Sequence, residues 1–285
     1  MRKRVRHFDE KSANALVDTS PSATQVGNLH PPSFRLFVMV TSRFTDNGDA
    51  RIHYLDSGGD DRGAPIVFVP GMTDIADDYV EVMPVFGRRT LVVELRGHGK
   101  SGAPLSGYDL TTLSDDVGAV VDAVTDGPIH MVTFSRGTSY AVAWALAQPD
   151  RVLSLAIGDY TPEERVLPRG VSHRLLSGRW RGSPVHERLN IDAANKTFQA
   201  AKARSFWEAL SPLKIPLLVV RSGNSVLVDD VEWARYRRRF PSAELVEFPE
   251  SPHDIFRPDR CRYPQLVRKH VERAEVRGPA PRRQQ

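Results

Sequence analysis

Residues 128–137, Pro-Ile-His-Met-Val-Thr-Phe-Ser-Arg-Gly, carry an apolar, strand-like run straight into Ser135, and an alanine-rich helical stretch begins at once. A serine held between a strand and a helix with no spare loop must sit on a sharp turn. Its backbone takes a strained, usually positive φ, and the residues two positions to either side must be small. Gly137 meets that demand and Thr133 meets it only in part. Such a serine projects its Oγ from the top of a sheet. Ser-x-Gly in a βα turn also suits a plain tight turn with a helix cap, so the surrounding elements have to decide.

Those elements alternate. Pro65–Val69 is a short apolar run ending in Pro70-Gly71, read as a buried strand and a tight turn. Thr90–Leu95, Val152–Ile157, Pro216–Val220 and Glu244–Phe248 read as further strands, the last followed by Ser251-Pro252-His253. Helical patterns lie between them, including Ile191–Leu210 and Val231–Phe240. This order predicts an α/β fold, a mostly parallel sheet with helices on both faces.

Several short segments then resemble one family. Ile52-His53-Tyr54-Leu55-Asp56-Ser57-Gly58 is similar to an early strand of the α/β-hydrolase fold, and Pro70-Gly71-Met72 stands where that family usually carries His-Gly-x. Leu95-Arg96-Gly97-His98-Gly99-Lys100-Ser101 matches its Arg-Gly-His-Gly turn. The resemblance spans about residues 43 to 272 and implies an eight-stranded sheet with a short helical cap. The expected division is a flexible extension over 1–32, a core over 33–159 and 214–272, a cap over 160–213 and a flexible tail over 273–285.

The resemblance also implies a chemistry. Ser135 is a weak nucleophile at its free pKa and needs a base within hydrogen-bond reach. His253 follows the last strand where the family's catalytic histidine sits, with Pro252 in place of the usual glycine. His98, in the Arg-Gly-His-Gly turn, reads as a loop brace. The usual acid position after the strand Pro216–Val220 holds Val226, which cannot orient an imidazole. Some members of the fold place the acid one strand earlier, which points to Asp159; a turn-capping role suits it as well. Asp229 and Asp230 are the other carboxylates nearby and look like a helix N-cap. By the same resemblance, the main-chain amides of Met72 and Arg136 form an oxyanion hole, and the Arg136 guanidinium either points to solvent or binds a substrate carboxylate.

Two functions follow as expectations. One is a serine hydrolase cleaving a small ester, thioester or lactone through an acyl-enzyme. The other, motivated by Thr133, Pro252 and Val226, is a non-hydrolytic lyase or cyclase, or a binding protein with an altered site. The cap's basic run, from His173-Arg174 to Arg179-Trp180-Arg181, reads as a solvated face, its aromatics Phe198, Phe206 and Trp207 as cap core, and its shortness as a sign of an open pocket. Neither metal-ligand spacing nor a dinucleotide fingerprint occurs, so no cofactor and no metal are expected.

Composition fits an ordinary enzyme. The chain has 285 residues and a formal charge of +4, without a basic stripe bearing aromatic platforms, so nucleic acid is not an expected partner. A single cysteine, Cys261, rules out an internal disulfide. The basic start, Met-Arg-Lys-Arg-Val-Arg, never develops a secretory apolar stretch, and no run reaches the roughly 18 apolar residues of a membrane span. A cytoplasmic, soluble protein acting on a small molecule is expected, with a homodimer left open.

Overall fold

Ile66–Val69 and Thr90–Val93 are apolar at almost every position, so neither can lie half in water; both must be covered on two faces. A computed structural model describes residues 40–59, 63–225 and 227–277 and covers both strands completely. The expected extension over 1–32, the end of the tail and Val226 lie outside the described residues.

One eight-stranded sheet forms the centre. Its strands are β1 (Thr41–Asn47), β2 (Ala50–Asp56), β3 (Ile66–Val69), β4 (Thr90–Val93), β5 (Ile129–Phe134), β6 (Val152–Gly158), β7 (Leu217–Ser222) and β8 (Glu244–Phe248). Their spatial order is β1-β2-β4-β3-β5-β6-β7-β8. The pairs β1·β2 and β2·β4 are antiparallel and the rest are parallel. All the parallel strands therefore end on the same edge, which is where ligands bind in open α/β sheets.

The helices are α1 (Leu110–Val124), α2 (Gly137–Ala147), α3 (Arg169–Ser177), α4 (Ile191–Ala200), α5 (Trp207–Leu210), α6 (Asp230–Arg239) and α7 (Arg262–Arg277). Two apolar layers cover the sheet. Alternation along β5 sends Ile129 and Met131 into a layer with Val117, Val121 and Trp144, while Val132 and Phe134 enter the other with Phe68, Phe256 and Val267. At ~1.5–3 kcal/mol for each fully buried large apolar side chain, these layers supply the drive that fixes the strand ends in space.

Two expected boundaries change. Ile191–Leu210 is not one helix: Ala201 turns extended, Arg204–Ser205 pairs antiparallel with Glu163–Glu164, and the chain re-enters a helix only at Trp207. The strand-like pairing captures backbone groups that a continuous helix would have used internally. The tail expected from residue 273 is helical through Arg277, because Val267, Val271 and Ala274 recur at helical spacing and are buried. Among the described residues no helix is long and apolar enough to cross a membrane.

β5 also carries a fully buried histidine, His130, bonded through Nδ1 to Ser154 Oγ at 2.8 Å. Burial, with Arg88 nearby, depresses its pKa from 6.5 to about 4. The unfolded chain then binds a proton that the folded chain refuses, so stability is complete above pH 6.5 and falls as the pH drops towards 4. The full loss amounts to about 3 kcal/mol. Urea titrations across that window should show the fall in the parent and a flatter profile in His130→Gln.

Candidate active site

Ser135, Asp159 and His253 follow the ends of β5, β6 and β8, and the parallel order brings them together on one edge. His253 Nε2 lies 2.8 Å from Ser135 Oγ, and His253 Nδ1 lies 2.7 Å from Asp159 Oδ2. All three are buried. Ser135 sits at φ +51°, a strained value for a residue with a Cβ. Gly137 makes the turn physically possible, since an added Cβ there would collide with the carbonyl oxygens of Val69 and Pro70. Thr133 is tolerated because its hydroxyl is satisfied, by Thr138 Oγ1 at 2.9 Å and Ala156 O at 3.2 Å.

Asp159 is also held at a positive φ, +44°. Its Oδ1 accepts the Ser222 N–H at 2.9 Å. The end of β7, where an acid was expected by resemblance, thus contributes a main-chain donor that orients the carboxylate of the preceding strand. Asp229 and Asp230 do neither job. Asp229 caps α6 through the Glu232 N–H, and Asp230 pairs with Arg221 at 2.8 Å. The histidine turn is braced from both sides, by Ser222 Oγ donating to Ser251 O and by Ser251 Oγ donating to Arg257 O.

The loop after β3 approaches from the other side. Among the described residues, the Met72 and Arg136 amides have no hydrogen-bond acceptor, and both border Ser135. His98 faces two carbonyls, Met72 O at 2.8 Å and Arg96 O at 3.1 Å, and so holds this loop. The Arg136 guanidinium does not reach solvent. It is buried against the Phe198 ring, donating to Tyr140 Oη at 3.0 Å and Arg165 O at 2.9 Å.

The segment between β6 and β7 lies over these residues, and it corrects two expectations. Arg181, counted with a solvated basic run, has a side chain only 6 % exposed, whereas His173, Arg174 and Arg179 are exposed. Its guanidinium makes a two-pronged pair with Asp254 at 2.9 and 2.7 Å and stacks over Tyr79 and Phe256. Trp180 Nε1 donates to Asp74 Oδ1 at 2.7 Å, Arg188 Nε donates to Thr73 O at 2.7 Å, and Arg188 pairs with Asp78. Burial opposes the Arg181 charge, but Tyr79, Asp74 and Asp254 outweigh it and hold its pKa well above the usual arginine value. Burial, with Asp74 adding to it, raises the pKa of Asp78.

The second correction concerns the pocket. It is a small cavity of ≈ 20 Å³, lined by Met72, Asp74, Leu175 and Trp180 beside Ser135 and His253. That is room for about one water. A short insert was expected to leave the serine open; instead Trp180 and Leu175 cover it, because Arg181 and Arg188 tie the insert to three acidic residues below. The expected cap-core residue Trp207 is fully buried against Tyr236, away from the cavity.

A second Ser-His-carboxylate chain exists, with Ser42 Oγ 2.7 Å from His53 Nε2 and His53 Nδ1 2.6 Å from Glu94 Oε2. The Glu94 carboxylate also accepts the Ala76 and Lys100 amides, both at 2.7 Å. That makes it a brace for the Arg-Gly-His-Gly turn. Among the described residues, no group of three or more His, Cys, Asp or Glu is placed to hold a metal ion.

Comparison with known proteins agrees with this architecture. Residues 64–164 match the alpha/beta hydrolase fold family model. The chain is 25 % identical over 250 residues to 2-(acetamidomethylene)succinate hydrolase of Mesorhizobium japonicum, covering 75 % of this chain and 89 % of that protein. It is 25 % identical to an esterase of Mycobacterium tuberculosis, covering 67 % and 76 % respectively. A solved E-2-(acetamidomethylene)succinate hydrolase superposes with a TM-score of 0.66 at 20 % identity, over 82 % of this chain and 99 % of that one. With its sheet order, its sharp serine turn and these relatives together, the chain belongs to the α/β-hydrolase fold superfamily.

Proposed function

We propose that this protein is a serine hydrolase that cleaves a small, uncharged acyl group from an ester, thioester or lactone through an acyl-enzyme. The observation that carries the reading is the buried relay from Ser135 Oγ through His253 to Asp159, at 2.8 and 2.7 Å, beside a cavity. His253 takes the Ser135 proton as Oγ bonds to the acyl carbon. The carbonyl oxygen becomes an oxyanion facing the Met72 and Arg136 amides, the second of which lies at the start of α2, where the helix dipole adds to its effect. Collapse breaks the bond to the leaving group, which departs with the proton from His253. Water, deprotonated by the same histidine, then attacks the acyl carbon and releases the acid and Ser135. Asp159 holds the imidazole with Nε2 towards the serine throughout.

The acyl group is read from the lining. Among the described residues, Asp74 is the fixed carboxylate there, no lysine or arginine side chain lines the cavity, and the remaining walls are largely apolar. Such a lining offers no guanidinium or ammonium to pair with the carboxylates of a succinate such as the one named for the Mesorhizobium relative.

A fluorophosphonate probe, followed by peptide mapping, tests the reading. One adduct, on Ser135 and absent from Ser135→Ala, is expected, with turnover of aryl esters falling steeply from acetyl to decanoyl. A folded protein that gives no adduct and no turnover would move the assignment to the non-hydrolytic class.

A further inference from the structure

Asp74 joins three parts of the molecule. Its Oδ2 accepts the Gly71 N–H at 2.8 Å, and its own N–H donates to Gly71 O at 3.2 Å. Its Oδ1 accepts the Trp180 indole N–H at 2.7 Å, and Arg181 Nη1 lies 3.7 Å from that same oxygen. The side chain is buried and borders the cavity. Packing around Gly71 is tight enough that a Cβ there would lie 2.7 Å from Asp74 Oδ2 and 3.0 Å from the Ser135 Cβ.

The peptide between Gly71 and Met72 is planar, and a trans peptide points its C=O and N–H in opposite directions. Asp74 anchors the C=O end through its main chain, and it pins the preceding N–H with its carboxylate. The direction of the Met72 N–H follows from those two bonds, with His98 holding Met72 O beyond it. Yet a carboxylate beside a forming oxyanion opposes it, unless its charge is balanced. The balancing groups, Trp180 Nε1 and the Arg181 guanidinium, come from the insert. Arg181 Nη1 is itself buried without a hydrogen-bond partner among the described residues, 3.7 Å from both Asp74 and Asp78.

We propose that Asp74 is a positioning residue that makes the Met72 amide competent for an oxyanion only while the insert is seated. Trp180 and Arg181 then act on the transition state, beyond enclosing the substrate. This rests on the hydrolytic reading, and the test separates the two.

The test compares matched oxo-esters and thiono-esters in the parent, Trp180→Phe, Asp74→Asn and Leu175→Ala. Donors set for oxygen favour the oxo-ester strongly, so the oxo-to-thiono rate ratio reports on their alignment. Trp180→Phe keeps an aromatic ring but loses the indole donor together with some ring area over the cavity, a loss of cover for which Leu175→Ala is the control. It should lower kcat for the oxo-ester by about tenfold with little change in KM, and lower the ratio in step. Asp74→Asn keeps the size but can accept only one of its two N–H partners, and should do the same. Leu175→Ala, on the insert but with no polar group to offer Asp74, should raise KM and leave the ratio alone. Turnover by folded Trp180→Phe and Asp74→Asn at the parent's ratio overturns the assignment while leaving the hydrolase standing. A parent that turns over neither ester, and takes no phosphonate on Ser135, removes both.

Discussion

Asp159→Asn is expected to lower kcat by about four orders of magnitude while the protein stays folded. The amide is isosteric, and its oxygen can keep the Ser222 N–H bond. Its NH2 then faces His253 Nδ1, which must become the acceptor, and the ring proton moves to Nε2. That nitrogen points at Ser135 Oγ and no longer takes its proton. Steady-state kinetics on an aryl ester, with a thermal melt as control, checks this. A residual rate above that of Ser135→Ala is expected, because the Ser135 nucleophile remains. A change of less than tenfold would remove Asp159 from the relay and reopen the place of the acid.

Arg181→Met is expected to cost stability on a scale few single changes reach, about 3 kcal/mol or more. Asp74, Asp78 and Asp254 converge on that guanidinium in a buried setting, and its removal leaves Arg188 to balance Asp78 alone. The pH dependence has a defined sign. Burial and Asp74 already raise the pKa of Asp78 above the ordinary 3.8 of an aspartate, and loss of a cation raises it further. The folded variant then binds a proton that the unfolded chain does not, so its deficit against the parent is smallest below pH 3.8 and widens as the pH rises through the elevated pKa. Paired urea titrations of variant and parent at two pH values measure this. A deficit independent of pH would mean that lost packing over Tyr79 and Phe256 dominates.

What the sequence made legible was what lies along the chain. Ser135 was identifiable because strand, serine, glycine and helix follow one another without a gap, and the turn's sterics allow little else. Asp159 could be chosen by its place at the end of a strand, and the parallel sheet carries that place to within 2.7 Å of His253. Arg181 was misread for the opposite reason. In a run of basic residues nothing marks the one that turns inward, and its partner Asp254 lies 73 residues away. Asp74 left no local signal either, since its acceptor role is defined by Trp180, 106 residues on. Ser222 acts on Asp159 through a main-chain N–H, which any residue but proline would present. The small cavity and the broken helix at Ala201 likewise depend on pairings across the insert, which one-dimensional periodicity does not encode.

The one-water chamber beside Ser135 constrains the order of events in any turnover there. In an acyl-enzyme cycle a leaving group has to get out in the first half and a water has to get in during the second, and a chamber lined by Trp180 and Leu175 holds about one such molecule at a time. An alcohol or thiol that lingers there stands where the incoming water must stand, close to an ester bond it can re-form. On the hydrolytic reading, commitment is then decided by which molecule occupies that one place first.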